Sequence, residues 1–193
     1  MSIVAILGSP RGEGNSAGLV KTFLKAAEPF GATARTFQLN DLSFRGCQAC
    51  YACKTSRETC VLKDDLAPVL DAVREADVVV LASPVYFGDI TGQLKTFFDR
   101  TFSFFTPDYR TSATPSRLAP GKKLVFVQTQ GQPDPTLFDD VYPRYERFFK
   151  RFGFAETHLV RAHGVANAGD VAGKSEFLQQ AEEVAEKVFG NGN

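Results

Sequence analysis

A chain of 193 residues with 44% hydrophobic content and 18 phenylalanines has the size and apolar surface of one ordinary α/β domain. Lys+Arg 22 against Asp+Glu 22 leaves no net charge, so the electrostatic footprint of a nucleic-acid or anionic-membrane partner is missing. No apolar run approaches the roughly 20 residues of a membrane helix, and Met1 to Leu7 is too short for a signal peptide before Gly8-Ser9-Pro10 breaks it. The expectation is a cytoplasmic protein without membrane insertion.

Short β-rich runs alternate with amphipathic segments, the pattern of βαβ units around a parallel sheet covered on both faces. The predicted strands are residues 3–7, 34–39, 78–83, 124–128 and 157–162. The predicted helices are residues 16–27, 66–75, 91–102, 136–152 and 175–189. These give an α/β, three-layer αβα sandwich with a five-stranded parallel sheet, for which the order 2-1-3-4-5 places the switch point between the first and third strands. The whole of 1–193 reads as a single domain with a cysteine-rich insertion at about 40–63. A second irregular stretch, 106–120, is rich in Pro, Ser and Thr and reads as a lid, a subunit contact or a solvated connector, and Gly190-Asn191-Gly192-Asn193 is expected to fray.

The first strand runs directly into Gly8-Ser9-Pro10-Arg11-Gly12-Glu13-Gly14-Asn15-Ser16 and then a helix. A helix start presents unpaired N–H groups and a positive dipole end, so Ser9, Asn15 and Ser16 with the planar fork of Arg11 suit a terminal phosphate. The dinucleotide fingerprint fails because its third glycine falls on Ala17. The P-loop pattern around Gly173-Lys174-Ser175 fails because its first glycine falls on Ala168. After the third strand, Ser83-Pro84-Val85-Tyr86-Phe87-Gly88 combines a stiffening proline, two flat aromatic faces and a glycine that permits close approach, which suits the wall of a ring system. In the order 2-1-3-4-5 both loops open on one crevice.

All 4 cysteines fall in Cys47, Cys50, Cys53 and Cys60, spaced C-x2-C-x2-C-x6-C. Structural zinc usually takes two separated C-x2-C knuckles, whereas three cysteines at successive three-residue steps can wrap a cubane. The residues leave three states open: a [4Fe–4S] cluster, zinc, and free thiols or a redox-labile disulfide. His158 and His163 read as core or surface residues rather than metal ligands, and no G-x-S-x-G hydrolase pattern occurs.

Gly8-Ser9-Pro10-Arg11 with Asn15-Ser16, Ser83-Pro84-Val85-Tyr86-Phe87-Gly88, and Gly92-Gln93-Leu94-Lys95 with Phe98-Asp99-Arg100 together resemble the NADPH-dependent FMN reductase family, which is flavodoxin-like, and within it the iron–sulfur flavoprotein branch. The resemblance implies that Ser9, Arg11, Asn15, Ser16 and Ala17 hold the FMN phosphate. It implies that Pro84, Val85, Tyr86, Phe87 and Gly88 line the isoalloxazine, with Thr129, Gln130 and Gly131 as a third flavin-facing loop. Lys95, Asp99 and Arg100 look structural or interfacial, and Phe97, Phe98, Phe102, Phe104 and Phe105 read as core or dimer interface. The implied activity is FMN-dependent reduction of quinones, flavins or similar small-molecule acceptors, with NAD(P)H as co-substrate and no catalytic acid or base. Its alternative is electron transfer from a ferredoxin-like donor through a [4Fe–4S] cluster on the four cysteines to FMN. A homodimer or homotetramer is implied as well.

Overall fold

A computed structural model describes residues 1–190; the frayed end expected at the C-terminus lies, for 191–193, outside the described residues. Eleven elements follow one another along the chain: β1 Ser2–Leu7, α1 Asn15–Ala27, β2 Thr33–Gln38, the single turn α2 Ala52–Thr55, α3 Ala67–Glu75, β3 Val78–Pro84, α4 Gly92–Arg100, β4 Lys123–Thr129, α5 Val141–Arg151, β5 Glu156–Ala162 and α6 Ser175–Phe189. The strands form one parallel sheet in the order β2-β1-β3-β4-β5, as expected from the sequence. Register carries Leu7 beside Ala82 and Pro84 beside Thr129, so β1, β3 and β4 end together at one edge of the sheet.

Alternation along the strands divides the core in two. Ile3, Ala5, Val78, Val80, Val125 and Val127 pack against α1 and α6. Val4, Ile6, Val79, Leu81, Leu124 and Phe126 pack against α3, α4 and α5. Burial on both faces explains why β1, β3 and β4 are continuously apolar, while the edge strand β2 leaves Thr33, Ala34, Arg35 and Thr36 exposed.

The boundaries shift where side chains compete for backbone groups. The helix expected from residue 136 begins at Val141. Asp134 accepts from the backbone N–H and hydroxyl of Thr136 at 2.8 and 2.7 Å, Arg161 donates to the Leu137 carbonyl, and Gln128 donates to that of Phe138 at 2.9 Å. With those carbonyls taken, and Phe138 at φ 68, no helical turn starts there. At its far end α4 stops at Arg100 and tightens into a 3-10 turn, Thr101–Phe104, because the hydroxyls of Thr101 and Ser103 bond back to the Phe98 and Arg100 carbonyls. The strand expected to include Leu39 ends at Gln38, and Leu39 opens a 3-10 turn that leads into the cysteine loop. Among the described residues no helix is long and apolar enough to cross a membrane.

Candidate flavin cleft and thiol pocket

A cleft lies at the C-terminal edge of the sheet, lined by Ser9, Arg11, Gly14, Asn15 and Ser16 after β1, by Pro84, Val85 and Tyr86 after β3, by Thr129, Gln130 and Gly131 after β4, and by Val165 and Ala166 after β5. No acidic side chain lines it. At its floor α1 starts at Asn15 behind Gly14, and no side chain caps that start. The first-turn N–H groups of an uncapped helix favour an anion, and Arg11 adds the one positive charge of the lining.

The two loops expected to meet are tied together by Thr91, which is fully buried. Its hydroxyl donates to the Gly8 carbonyl at 2.7 Å and accepts from Leu94 N–H at 3.3 Å as the N-cap of α4, while its own N–H donates to Ser83 Oγ at 3.0 Å. Gly8 must be glycine for this contact, since a Cβ there would stand 2.7 Å from Leu94 Cβ and 2.9 Å from Thr91 Oγ1. From β2, Gln38 braces the Ser9 carbonyl.

The aromatic loop is a tight turn in which Tyr86 and Asp89 exchange both backbone hydrogen bonds, at 2.8 and 3.1 Å. Phe87 and Gly88 occupy its corners at φ 49 and φ 80, the left-handed conformations of a two-residue hairpin. Phe87, a bulky residue in that region, is wholly exposed, and Tyr86 is half-exposed. The turn is held from α5: Asp89 accepts from Tyr145 OH at 2.7 Å and from Arg144 at 3.2 Å, and Arg144 also donates to the Gly88 carbonyl at 3.0 Å. Burial first, and then the hydrogen bond to Asp89, push the Tyr145 phenol above its ordinary value, so it stays a donor.

Most of the flavin-site residues expected from the sequence therefore converge, with qualifications of role. Asn15 lines the cleft but its amide is committed elsewhere: Nδ2 donates to the Val165 and Asn167 carbonyls at 3.1 and 2.8 Å, and Oδ1 accepts from Val171 N–H at 3.0 Å. It pins the 165–171 loop over α1, which leaves its backbone N–H for the anion. Gln130 is likewise engaged, with Asp134 O and Arg161. Ala17 is buried beneath the cleft, and Phe87 and Gly88 stand beyond its rim rather than in its lining. Gly14 belongs to the loop expected from the sequence, whereas Val165 and Ala166 carry no signal there. Arg11 donates to the Ala166 carbonyl at 3.1 Å, an interaction no local motif announces.

The four cysteines surround a separate small pocket with Arg100 and Phe102. No disulfide joins them; Cys47 and Cys50 are exposed, Cys53 and Cys60 half-buried. Ala49 and Tyr51 adopt φ 49 and φ 56, so the chain turns sharply between successive cysteines. Among the described residues no group of three or more His, Cys, Asp or Glu side chains is disposed to hold a metal ion. The all-sulfur donor set is of the kind that zinc and iron–sulfur clusters both take.

Cations surround the thiols. Arg100 donates to Cys60 Sγ at 3.1 Å and pairs with both oxygens of Asp64, and Lys54 approaches Cys53 Sγ at 3.4 Å while donating to the Phe102 and Phe105 carbonyls. Burial alone would raise the Asp64 carboxyl, but bonds from Arg100 and the Arg45 N–H outweigh it and hold it below its ordinary value. Arg117 donates to the Cys53, Ser103 and Phe105 carbonyls, so the irregular stretch 106–120 acts with the end of α4 as the bed of the cysteine loop. His158 lies on β5 beside Glu156 at 3.3 Å, and His163 packs edge-on to Phe177.

Residues 1–136 match the family described as NADPH-dependent FMN reductase. An iron–sulfur flavoprotein of Methanocaldococcus jannaschii is 39% identical over 101 residues, 52% of this chain and 52% of that protein. FMN-dependent NADH:quinone oxidoreductase 5 of Pseudomonas fluorescens is 32% identical over 128 residues, 64% of this chain and 61% of that protein. The chain thus spans only about half to three-fifths of the length of these curated relatives. Among solved structures, NAD(P)H:quinone oxidoreductase from Methanothermobacter marburgensis superposes with a TM-score of 0.75 at 17% identity, covering 97% of this chain and 96% of that one, which speaks for the fold. With the family match extending from β1 through the loop after β4, and so over three of the four loops that line the cleft, the chain belongs to the NADPH-dependent FMN reductase family.

Proposed function

We propose that the protein is an FMN-dependent oxidoreductase that takes reducing equivalents from NAD(P)H and passes them to a small-molecule acceptor such as a quinone or a free flavin. The observation that carries this reading is the cleft itself, where an uncapped helix start and Arg11 face no acidic side chain and an aromatic turn stands at the rim. FMN bound there supplies a ring that accepts a hydride and releases electrons singly or in pairs. The cleft volume of about 230 Å³ is below the roughly 300–1,000 Å³ of a complete small-molecule site. It suits the ribityl phosphate, and the exposed Tyr86 and Phe87 beside it would line the ring. Arg11 leaves the Ala166 carbonyl for the phosphate, the α1 N–H groups complete its shell, and Arg144 and Tyr145 keep the aromatic turn from yielding when reactants stack on it.

FMN is titrated into the flavin-free protein and followed by fluorescence quenching, and the loaded protein is then mixed anaerobically with NADH or NADPH. Stoichiometric binding, bleaching of the flavin absorption and repeated turnover with a quinone are the expected results. Tight FMN binding with no reduction by either nucleotide would refute the reductase reading.

The thiol pocket favours a second reading, in which Cys47, Cys50, Cys53 and Cys60 hold a [4Fe–4S] cluster that exchanges single electrons with a ferredoxin-like donor. Iron and acid-labile sulfide, measured in protein purified without oxygen, decide between the two. Four of each per chain favour the relay, and neither favours the reductase alone.

A further inference from the structure

Between β4 and α5 the chain has no repeating backbone structure, and side chains of the sheet region hold it instead. Gln128 Nε2 donates to the Phe138 carbonyl at 2.9 Å, and Gln130 Nε2 to the Asp134 and Gln132 carbonyls at 2.9 and 3.3 Å. From β5, one terminal nitrogen of Arg161 donates both to Gln130 Oε1 at 2.9 Å and to the Leu137 carbonyl. Arg161 Nε is buried without a partner, so the guanidinium is held through that one nitrogen. Gln130 is itself buried and lines the cleft. A single nitrogen therefore ties the cleft to the strap formed by residues 132–138.

The far end of the strap meets the aromatic turn. Phe138, at φ 68, lays its ring over Gly88, where a Cβ would stand 3.8 Å from Phe138 Cε1. Leu137 thus lies between the cleft and the turn, and its side chain is exposed. Seven large hydrophobic side chains are exposed among the described residues, and three of them, Tyr86, Phe87 and Leu137, gather at this one rim. Apolar side chains exposed singly need no explanation, but a group of them at the mouth of a cleft marks a surface for an apolar ligand. We propose that Leu137 forms, with Tyr86 and Phe87, the apolar mouth that selects a flat, uncharged ring such as a quinone as electron acceptor, and that Arg161 is the positioning residue that holds Leu137 there through its carbonyl. The proposal rests on the cleft being the flavin site, and not on which nucleotide reduces the flavin.

Duroquinone is the probe, because its four methyl groups leave no ring position for the exposed thiols to attack. FMN-loaded protein is titrated without oxygen to the end point of reduction with dithionite and mixed rapidly with the quinone, and the return of the flavin absorption is followed. Each event moves two electrons and two protons from the reduced flavin to duroquinone, giving durohydroquinone and oxidised FMN. The half-saturating quinone concentration is read apart from the limiting rate, which carries any change in flavin potential. Leu137→Ala is expected to raise the half-saturating concentration about 5–20-fold, a modest loss because the side chain forms only one part of the mouth. Arg161→Gln is expected to raise it about 3–10-fold, and to speed amide hydrogen exchange in residues 132–138. In a Leu137→Ala background Arg161→Gln should change it by no more than about twofold, since the two act through one side chain.

Full multiplication of the two losses, or unchanged amide exchange in Arg161→Gln, would overturn the positioning role. Leu137→Ala within about twofold of wild type, or a wild-type rate that rises with quinone without saturating, would overturn the acceptor site itself. Should Arg161→Gln fail to retain FMN, Arg161→Lys, which keeps the charge on a shorter side chain, takes its place in the same cycle. Reduction by dithionite separates this outcome from the reductase reading. A flavin that neither nucleotide reduces defeats that reading, and the effect of Leu137 on duroquinone is scored as before.

Discussion

Replacing Thr91 by valine removes one hydroxyl and keeps the shape of the side chain, at a fully buried point where two loops of the cleft meet. The hydroxyl does two things. It caps α4 by accepting from Leu94 N–H, and loss of such a cap costs about 1 kcal/mol. It also satisfies the Gly8 carbonyl, whose burial without a partner costs about 1–3 kcal/mol. The Thr91 N–H bond to Ser83 Oγ survives the change, so nothing is subtracted for it. Thr91→Val should therefore destabilise the protein by about 2–4 kcal/mol, and lower Tm by roughly 5–15 °C for a chain of this size. FMN affinity should fall with it, because the phosphate loop loses its tie to the scaffold. Urea unfolding of the flavin-free protein gives the stability and fluorescence titration the affinity. Thr91→Ser, which keeps the hydroxyl, should lose less than half as much. A Thr91→Val protein with Tm within about 2 °C of wild type would refute the reasoning, since neither the cap nor the carbonyl would then matter.

Other outcomes follow from single contacts. Arg11→Ala should weaken FMN by about 1.5–3 kcal/mol, roughly 10–150-fold, and leave riboflavin binding unchanged, because only the phosphate needs the charge; parallel titrations with both flavins check this. Phe87→Gly should relieve a left-handed residue and hold or raise stability by about 0.5–1 kcal/mol while raising KM for the acceptor, as read by thermal melting and steady-state kinetics; a clear fall in Tm would contradict the strain. The Asp64 carboxyl is held below its ordinary value, so its contribution is complete above the unfolded carboxylate value near pH 4 and is lost as pH falls through the lower folded value. Limited proteolysis across pH 3–7 should show the cysteine loop opening only at the acid end, and Asp64→Asn should open it at every pH.

Gross architecture and the location of the cleft are local properties of this chain. Apolar runs that alternate with amphipathic segments, and Gly8 to Ser16 placed between a strand and a helix, are written in consecutive residues. A parallel sheet then has few ways to bring the loops after β1 and β3 to one edge. Local periodicity also explains where the reading of boundaries slipped. The pattern of residues 136–140 is helical, but Arg161 from β5 and Gln128 from β4 take the carbonyls a helix would need.

Tertiary structure decided the roles. Asn15 carries the right chemistry for a phosphate, yet its amide is used to pin a loop some 150 residues away in sequence. Val165 and Ala166 close the cleft with backbone and small side chains that have no signature of their own. Arg100 looks structural or interfacial in sequence, and becomes the buried partner of Cys60 only because the cysteine loop folds over the end of α4. Sequence spacing brings thiols or phosphate donors near one another when they share a loop or a turn. Which of their atoms remain free for a ligand depends on long-range partners for every buried donor and acceptor, and that accounting is completed only by the fold.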